Sequence, residues 1–85
     1  MKKYNVQRKF ITQKIGDKIT IFDGEESLLY TFSKTATFIF EKIKQGLSEE
    51  KIIELLVKEY SIKKERAEKD LKEFIGKLKK RKVIV

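Results

Sequence analysis

The residues best suited to specific contacts lie in one continuous stretch, residues 28–40, and the chemistry that they offer is binding. Leu28, Tyr30 and Phe32 alternate with Leu29 and Thr31, a period of two that indicates a half-buried strand. Ser33 follows at once and is a good helix N-cap. Apolar residues at helical spacing come next, namely Ala36, Ile39, Phe40 and Ile43. A strand that runs directly into a capped helix places a sheet edge beside a helix, which suits a binding module better than a catalyst.

Composition argues against catalysis and against a cofactor. The chain has 85 residues, which predicts a single domain. It contains neither cysteine nor histidine, so disulfides, thiolate metal sites, most nucleophilic triads and nearly all zinc sites are excluded. The acidic residues do not cluster as a magnesium site requires. We therefore expect no enzymatic activity, no metal and no cofactor.

The charge is strongly basic and unevenly distributed. Lys and Arg number 21 against 13 Asp and Glu, a net charge of +8. Residues 63–82 hold ten basic and four acidic residues, a net of +6. Such a face attracts nucleic acid, anionic lipid or acidic peptide, although it is equally explained as a solvated lysine face. No apolar run approaches the ~20 residues of a membrane span. The N-terminus lacks the apolar core of a signal peptide, so we expect a cytoplasmic protein without a membrane partner.

The first half of the chain predicts a small antiparallel sheet. Strands are expected at residues 9–15, 18–23 and 27–32. Turns are expected at Gly16-Asp17 and at Asp23-Gly24, where Glu25 and Glu26 lengthen the loop. Residues 1–8 are expected to be a flexible N-terminus, and residues 9–85 a single domain.

The second half predicts three helices. The first covers residues 34–45 and stops at Gly46, the second starts after the N-cap Ser48 and ends near Tyr60, and the third covers residues 64–80. Residues 83–85 can add a short strand. The fold class is therefore α+β, a three-stranded antiparallel sheet followed by three helices, and this order also describes a winged helix-turn-helix.

The third helix has an apolar stripe and an interior glycine. Ala67, Leu71, Phe74 and Leu78 form the stripe, and Ile75 widens it. Gly76 should cost ~1 kcal/mol relative to alanine; it either permits close approach of another backbone or is simply tolerated.

Three segments together resemble one protein family. Residues 30–40, YTFSKTATFIF, follow the pattern y-x-L-N-x-T-A-x-x-I-W; residues 46–52, GLSEEKI, follow G-x-t-x-e-e-I; and residues 70–78, DLKEFIGKL, follow D-V-x-x-F-L-x-x-L. In this order and at these separations they resemble PqqD-like proteins over roughly residues 19–84. Ser33 replaces the usual asparagine, Phe40 the usual tryptophan, and Arg81-Lys82 stand where a glycine is common.

The resemblance implies a function. PqqD-like proteins are recognition elements for ribosomally synthesised and post-translationally modified precursor peptides, similar to winged helix-turn-helix domains but binding peptide. The resemblance implies that a precursor's leader segment adds as a strand to the edge of the third strand, beside the third helix. The domain then delivers the precursor to a modifying enzyme such as a radical SAM maturase.

The same resemblance implies a set of peptide-binding residues. Phe74 can form the floor of a slot for a leader side chain, although ordinary core packing is the simpler explanation. Lys77 and Arg81 can pair with leader carboxylates, although solvated charges are the simpler explanation. Leu29 can line a pocket or be a lone exposed apolar residue. The predicted binding residues are Leu29, Tyr30, Thr31, Phe32, Asp70, Glu73, Phe74, Lys77 and Arg81.

Two alternatives stay open at this point. The basic third helix could serve a winged-helix DNA-binding transcription regulator. Against this, Glu65, Glu68 and Glu73 lie on its solvent side. Its strongest basic cluster, residues 79–82, lies at its C-terminal end, whereas recognition helices usually contact bases from their N-terminal part. The protein could instead be a bare protein-interaction or dimerisation module, because an exposed sheet edge can pair with a second copy and form a homodimer.

Overall fold

The computed structural model of the protein describes Tyr4, Val6, residues 10–25 and residues 27–84. Within these residues one antiparallel sheet has the strand order β1-β2-β3, with β1 at Phe10–Ile15, β2 at Lys18–Asp23 and β3 at Leu28–Thr31. The predicted meander is confirmed. Gly16 has a φ of 64° in the first turn, a conformation that glycine adopts at little cost. The predicted start at Lys9 lies outside the described residues.

The helices follow their predicted start and stop signals. They are α1 at Lys34–Lys44, α2 at Glu49–Tyr60 and α3 at Lys64–Lys80. The Ser33 hydroxyl accepts a hydrogen bond from the Ala36 N–H at 3.2 Å, and the Ser48 hydroxyl accepts one from the Lys51 N–H at 3.3 Å. Both predicted N-caps are therefore confirmed.

Gly46 ends α1 as predicted. Its φ is 80°, and its N–H donates to the Ile43 carbonyl at 2.9 Å while the Leu47 N–H donates to the Lys42 carbonyl at 3.2 Å. These paired bonds satisfy carbonyls that the helix end leaves open, which defines a Schellman motif. The chain therefore turns sharply from α1 into α2.

The core lies between the inner face of the sheet and the three helices. Ile19 and Ile21 of β2 are buried there against the helices. On α3 the buried residues are Ala67, Leu71, Ile75 and Leu78. The predicted apolar stripe of α3 differs at one position. Phe74, which was predicted to belong to it, is half-buried at the border of the core, and the neighbouring Ile75 lies in the core instead. Among the described residues, no helix combines the length and the apolar character needed to cross a membrane.

The two ends of the described chain meet. Val6 forms an isolated antiparallel bridge with Ile84, and the Tyr4 hydroxyl donates to the Glu49 carboxylate at 3.0 Å. Ile84 is buried. The predicted terminal strand is therefore represented by this bridge, and its last residue, Val85, lies outside the described residues. The flexible segment at residues 1–8 stays a prediction, since the structure describes only Tyr4 and Val6 of it.

Candidate functional site

A cleft separates β3 from α3, and most of the predicted site residues line it. Its cavity measures about 330 Å³. Six of the predicted residues lie on its walls: Tyr30, Thr31, Phe32, Phe74, Lys77 and Arg81. The cavity also contacts four residues that sequence reasoning did not select: Ser33, Ala36, Leu78 and Val83. Their only sequence signal is that they neighbour the predicted residues in the chain or on the helix.

Aromatic rings build one wall of this cleft. The Phe32 ring meets the Phe74 ring edge to face with 5.1 Å between centroids, and it meets the buried Phe40 ring at 5.3 Å. Such aromatic pairs add stability beyond the area that they bury. Phe74 is therefore joined to the core through Phe32 while part of its ring faces the cleft, which makes an apolar surface for a ligand side chain.

Two cations stand on the α3 side of the cleft. The Arg81 guanidinium carbon lies 4.4 Å from the centroid of the Tyr30 ring, a cation–π contact. Lys77 lies one helical turn before Arg81 and lines the same cavity. Both side chains are exposed, so the charged rim can meet a carboxylate at the mouth of the apolar cleft.

The two predicted acidic residues lie in a second, adjoining cavity. This cavity measures about 260 Å³, and Asp70 and Glu73 line it together with Phe74 and Lys77. The Asp70 carboxylate is 3.6 Å from the Arg66 side chain, an ion pair within α3. Since Phe74 and Lys77 belong to both cavities, the acidic residues continue the cleft along α3.

The outer edge of β3 is unpaired within the described residues. The Phe32 N–H donates to the Ile19 carbonyl at 2.9 Å, so the backbone groups of Phe32 point towards β2. Because these directions alternate along an antiparallel strand, those of Tyr30 also point to β2. The N–H and C=O groups of Leu29 and Thr31 then point away from β2, towards the open side.

Leu29 is the one predicted residue that lies on neither cavity. It is 67% exposed and belongs to the sheet face opposite the helices. Leu29 contributes its N–H and C=O groups at the open edge of β3, and its side chain lies on the outer face of the sheet.

A groove between α2 and α3 was not predicted. Its cavity of about 470 Å³ has Ile53 and Val57 among its walls, with Glu50, Glu54 and Glu68 around them. Ile53 and Val57 flank the apolar face of α2, which is the sequence signal that could have indicated it. In the described part of the chain, no group of three acidic side chains is arranged to hold a metal ion.

Comparison with known proteins assigns the family. The model of the family described as coenzyme PQQ synthesis protein D (PqqD) matches residues 19–84, which cover nearly all of β2, then β3 and all three helices, but not β1. The chain belongs to the PqqD family. A comparison with curated proteins finds no match.

Two solved structures share the fold of this PqqD family member. One is lasso peptide synthetase B1 complexed with the leader peptide, with a TM-score of 0.91, 18% identity and 99% of each chain covered. The other is TbiB1 in complex with the TbiA(beta) leader peptide, with a TM-score of 0.88 and 18% identity, covering 93% of this chain and 92% of that one. The predicted α+β, winged helix-turn-helix-like fold is confirmed.

Proposed function

We propose that this protein is a non-catalytic recognition protein for the leader segment of a ribosomally synthesised precursor peptide. The observation that carries the proposal is the open edge of β3 standing beside the cleft that α3 walls. Membership of the PqqD family supports it, and so does the shared fold with two proteins described in complex with leader peptides.

Binding proceeds by strand addition. The leader pairs with the outward N–H and C=O groups of Leu29 and Thr31, which gives affinity with little demand on sequence. Side chains that face the helices enter the cleft and contact Tyr30, Phe32 and Phe74.

Charges along α3 orient the peptide. Lys77 and Arg81 pair with leader carboxylates, and Arg81 can do so through two parallel hydrogen bonds. Asp70 and Glu73 favour a basic leader residue further along the cleft. The bound precursor is then presented to a modifying enzyme, for which a radical SAM maturase is our hypothesis.

No feature of the described residues favours the alternative of DNA binding. Glu65, Glu68 and Glu73 are exposed on α3 among its basic residues, and their carboxylates repel phosphates.

An NMR titration tests the proposal. Isotope-labelled protein is titrated with a synthetic leader peptide, taken from a short reading frame beside this protein's gene, and separately with duplex DNA. We expect saturable shifts with the peptide at residues 29–32 and at Phe74, Lys77 and Arg81, with a shallow salt dependence. Shifts with DNA alone, centred on α3 and falling steeply as salt rises, would overturn the proposal.

A further inference from the structure

The outer face of the sheet carries a row of exposed apolar side chains that ends at the open edge. Phe22 of β2 is directly opposite Ile11 of β1 on one side and Leu29 of β3 on the other. These three residues, the outer apolar row, are 63% exposed at Ile11, 38% at Phe22 and 67% at Leu29. Phe22 is the least exposed because it has a neighbour on both sides, whereas Leu29 lacks one at the edge.

We propose that Leu29 is a specificity-determining residue that selects an apolar side chain on the outward face of the bound leader strand. The inference rests on the proposed strand addition. It extends the recognition surface from the cleft to the opposite face of the sheet.

The direction of the backbone groups supports this assignment. Since the N–H and C=O of Leu29 point to the open side, a strand added there places a residue beside Leu29. Residues paired across neighbouring strands project their side chains to the same face. The leader residue beside Leu29 therefore lies on the outer face, where an apolar side chain becomes the fourth member of the row and covers Leu29.

Because side chains alternate along a strand, the two faces of the bound leader contact different surfaces of the protein. The leader residues next to the one beside Leu29 project to the inner face, where Tyr30 and Phe32 border the cleft. This holds for a parallel or an antiparallel leader, because side chains alternate in both. A leader residue that contacts Leu29 and one that contacts Phe74 therefore differ by an odd number in their sequence positions.

Calorimetric titrations with two matched variants test the inference. Leu29→Thr removes the end of the row on β3. Ile15→Thr is the control, because Ile15 is 66% exposed on the same face but lies on β1, at the opposite edge of the sheet from the cleft. We expect Leu29→Thr to raise the Kd for the synthetic leader by roughly two- to fivefold, or about 0.4–1 kcal/mol. Ile15→Thr should leave the Kd unchanged.

An alanine scan of the same leader identifies the position that Leu29 contacts. We expect one leader position whose replacement by alanine raises the Kd in the unaltered protein but has no further effect in Leu29→Thr. Its residue number should differ by an odd number from that of the position whose replacement has no further effect in Phe74→Leu. Equal losses in the Leu29 and Ile15 variants, or an even separation, would overturn the inference while peptide binding stands. Loss of self-association instead of peptide affinity in Leu29→Thr would assign the row to a second copy. A leader that does not bind the unaltered protein overturns the proposed function and this inference together.

Discussion

At the level of single residues, Lys82 belongs to the pair Arg81-Lys82, which departs from the PqqD-like pattern of a glycine before the final apolar pair. Its φ is 59°, its N–H donates to the Lys79 carbonyl at 3.0 Å, and the Val83 N–H donates to the Leu78 carbonyl at 2.8 Å. These are the two bonds of a Schellman motif. The helix therefore ends in a Schellman motif with a lysine in the left-handed conformation that glycine adopts without strain.

Lys82→Gly should stabilise the protein by about 0.5–1 kcal/mol, because glycine removes the strain of a side chain in this conformation. Urea denaturation followed by circular dichroism measures the change. Lys80→Gly is the control, and it should destabilise because residue 80 is the last residue of α3. A lower unfolding free energy for Lys82→Gly would contradict the argument.

Arg81 supplies the charge nearest to the Tyr30 ring in the cleft. Arg81→Gln should raise the Kd for an acidic leader peptide by about tenfold, because charge-assisted hydrogen bonds contribute about 1.5 kcal/mol or more. Lys80→Gln removes the same charge outside the cavity and should have a much smaller effect. Similar losses in the two variants, measured by calorimetry at physiological salt, would mean that only long-range attraction acts.

At the level of secondary-structure elements, β3 has one edge paired with β2 and one edge open within the described residues. The two edges use different residues, since the N–H and C=O groups of Tyr30 point to β2 whereas those of Leu29 and Thr31 point to the open edge. Proline substitutions separate the two edges because proline removes a single N–H donor.

Thr31→Pro should leave the fold largely intact and raise the Kd for the leader at least tenfold, because it removes an outward donor and its ring obstructs the added strand. Tyr30→Pro should destabilise the sheet, since the lost N–H points to β2. Thermal unfolding and calorimetry together give the comparison. Normal peptide affinity in a folded Thr31→Pro variant would exclude strand addition at β3.

Gly76 within α3 is tolerated rather than required for close packing. A Cβ added there meets no atom within 4 Å among the described residues. Gly76→Ala should therefore stabilise the protein by about 1 kcal/mol and raise Tm by about 4–8 °C. Gly46→Ala is the opposite case, because the φ of Gly46 is 80° and alanine is strained there. A destabilising Gly76→Ala would point to an unrecognised contact on that face.

At the level of the whole molecule, the N-terminal segment is linked to two helices. The Tyr4 hydroxyl donates to Glu49 in the first turn of α2, and the Lys79 ammonium of α3 lies 5.2 Å from the Tyr4 ring. Burial, followed by the hydrogen bond to Glu49 and its negative charge, raises the pKa of Tyr4 above its ordinary value. The neutral hydroxyl is therefore the form that stabilises the fold.

This linkage predicts a pH dependence. The Tyr4 contribution should be fully present below the unfolded pKa of about 10 and should disappear as pH rises through the higher folded pKa. Tyr4→Phe keeps the ring beside Lys79, so it should cost about 1 kcal/mol or less at neutral pH. Thermal unfolding from neutral to alkaline pH should show the two proteins converging. A constant difference up to high pH would mean that the hydroxyl contributes nothing through ionisation.

The sequence by itself determined the elements and their ends. Ser33, Ser48 and Gly46 act within one helical turn, and the alternation in β2 and the 3.6-residue period in the helices are local signals, so they were readable without a fold. The three spaced segments also predicted the family correctly.

Only the tertiary structure decided how the faces are shared. Phe74 and Ile75 are adjacent in one apolar stripe, and the packing of Phe74 against Phe32 placed Phe74 at the cleft and Ile75 in the core. The outer apolar row and the α2–α3 groove depend on which strands and helices are neighbours. Such surfaces arise from residues far apart in the chain, and a periodic pattern shows which side of an element is apolar but not what lies opposite it.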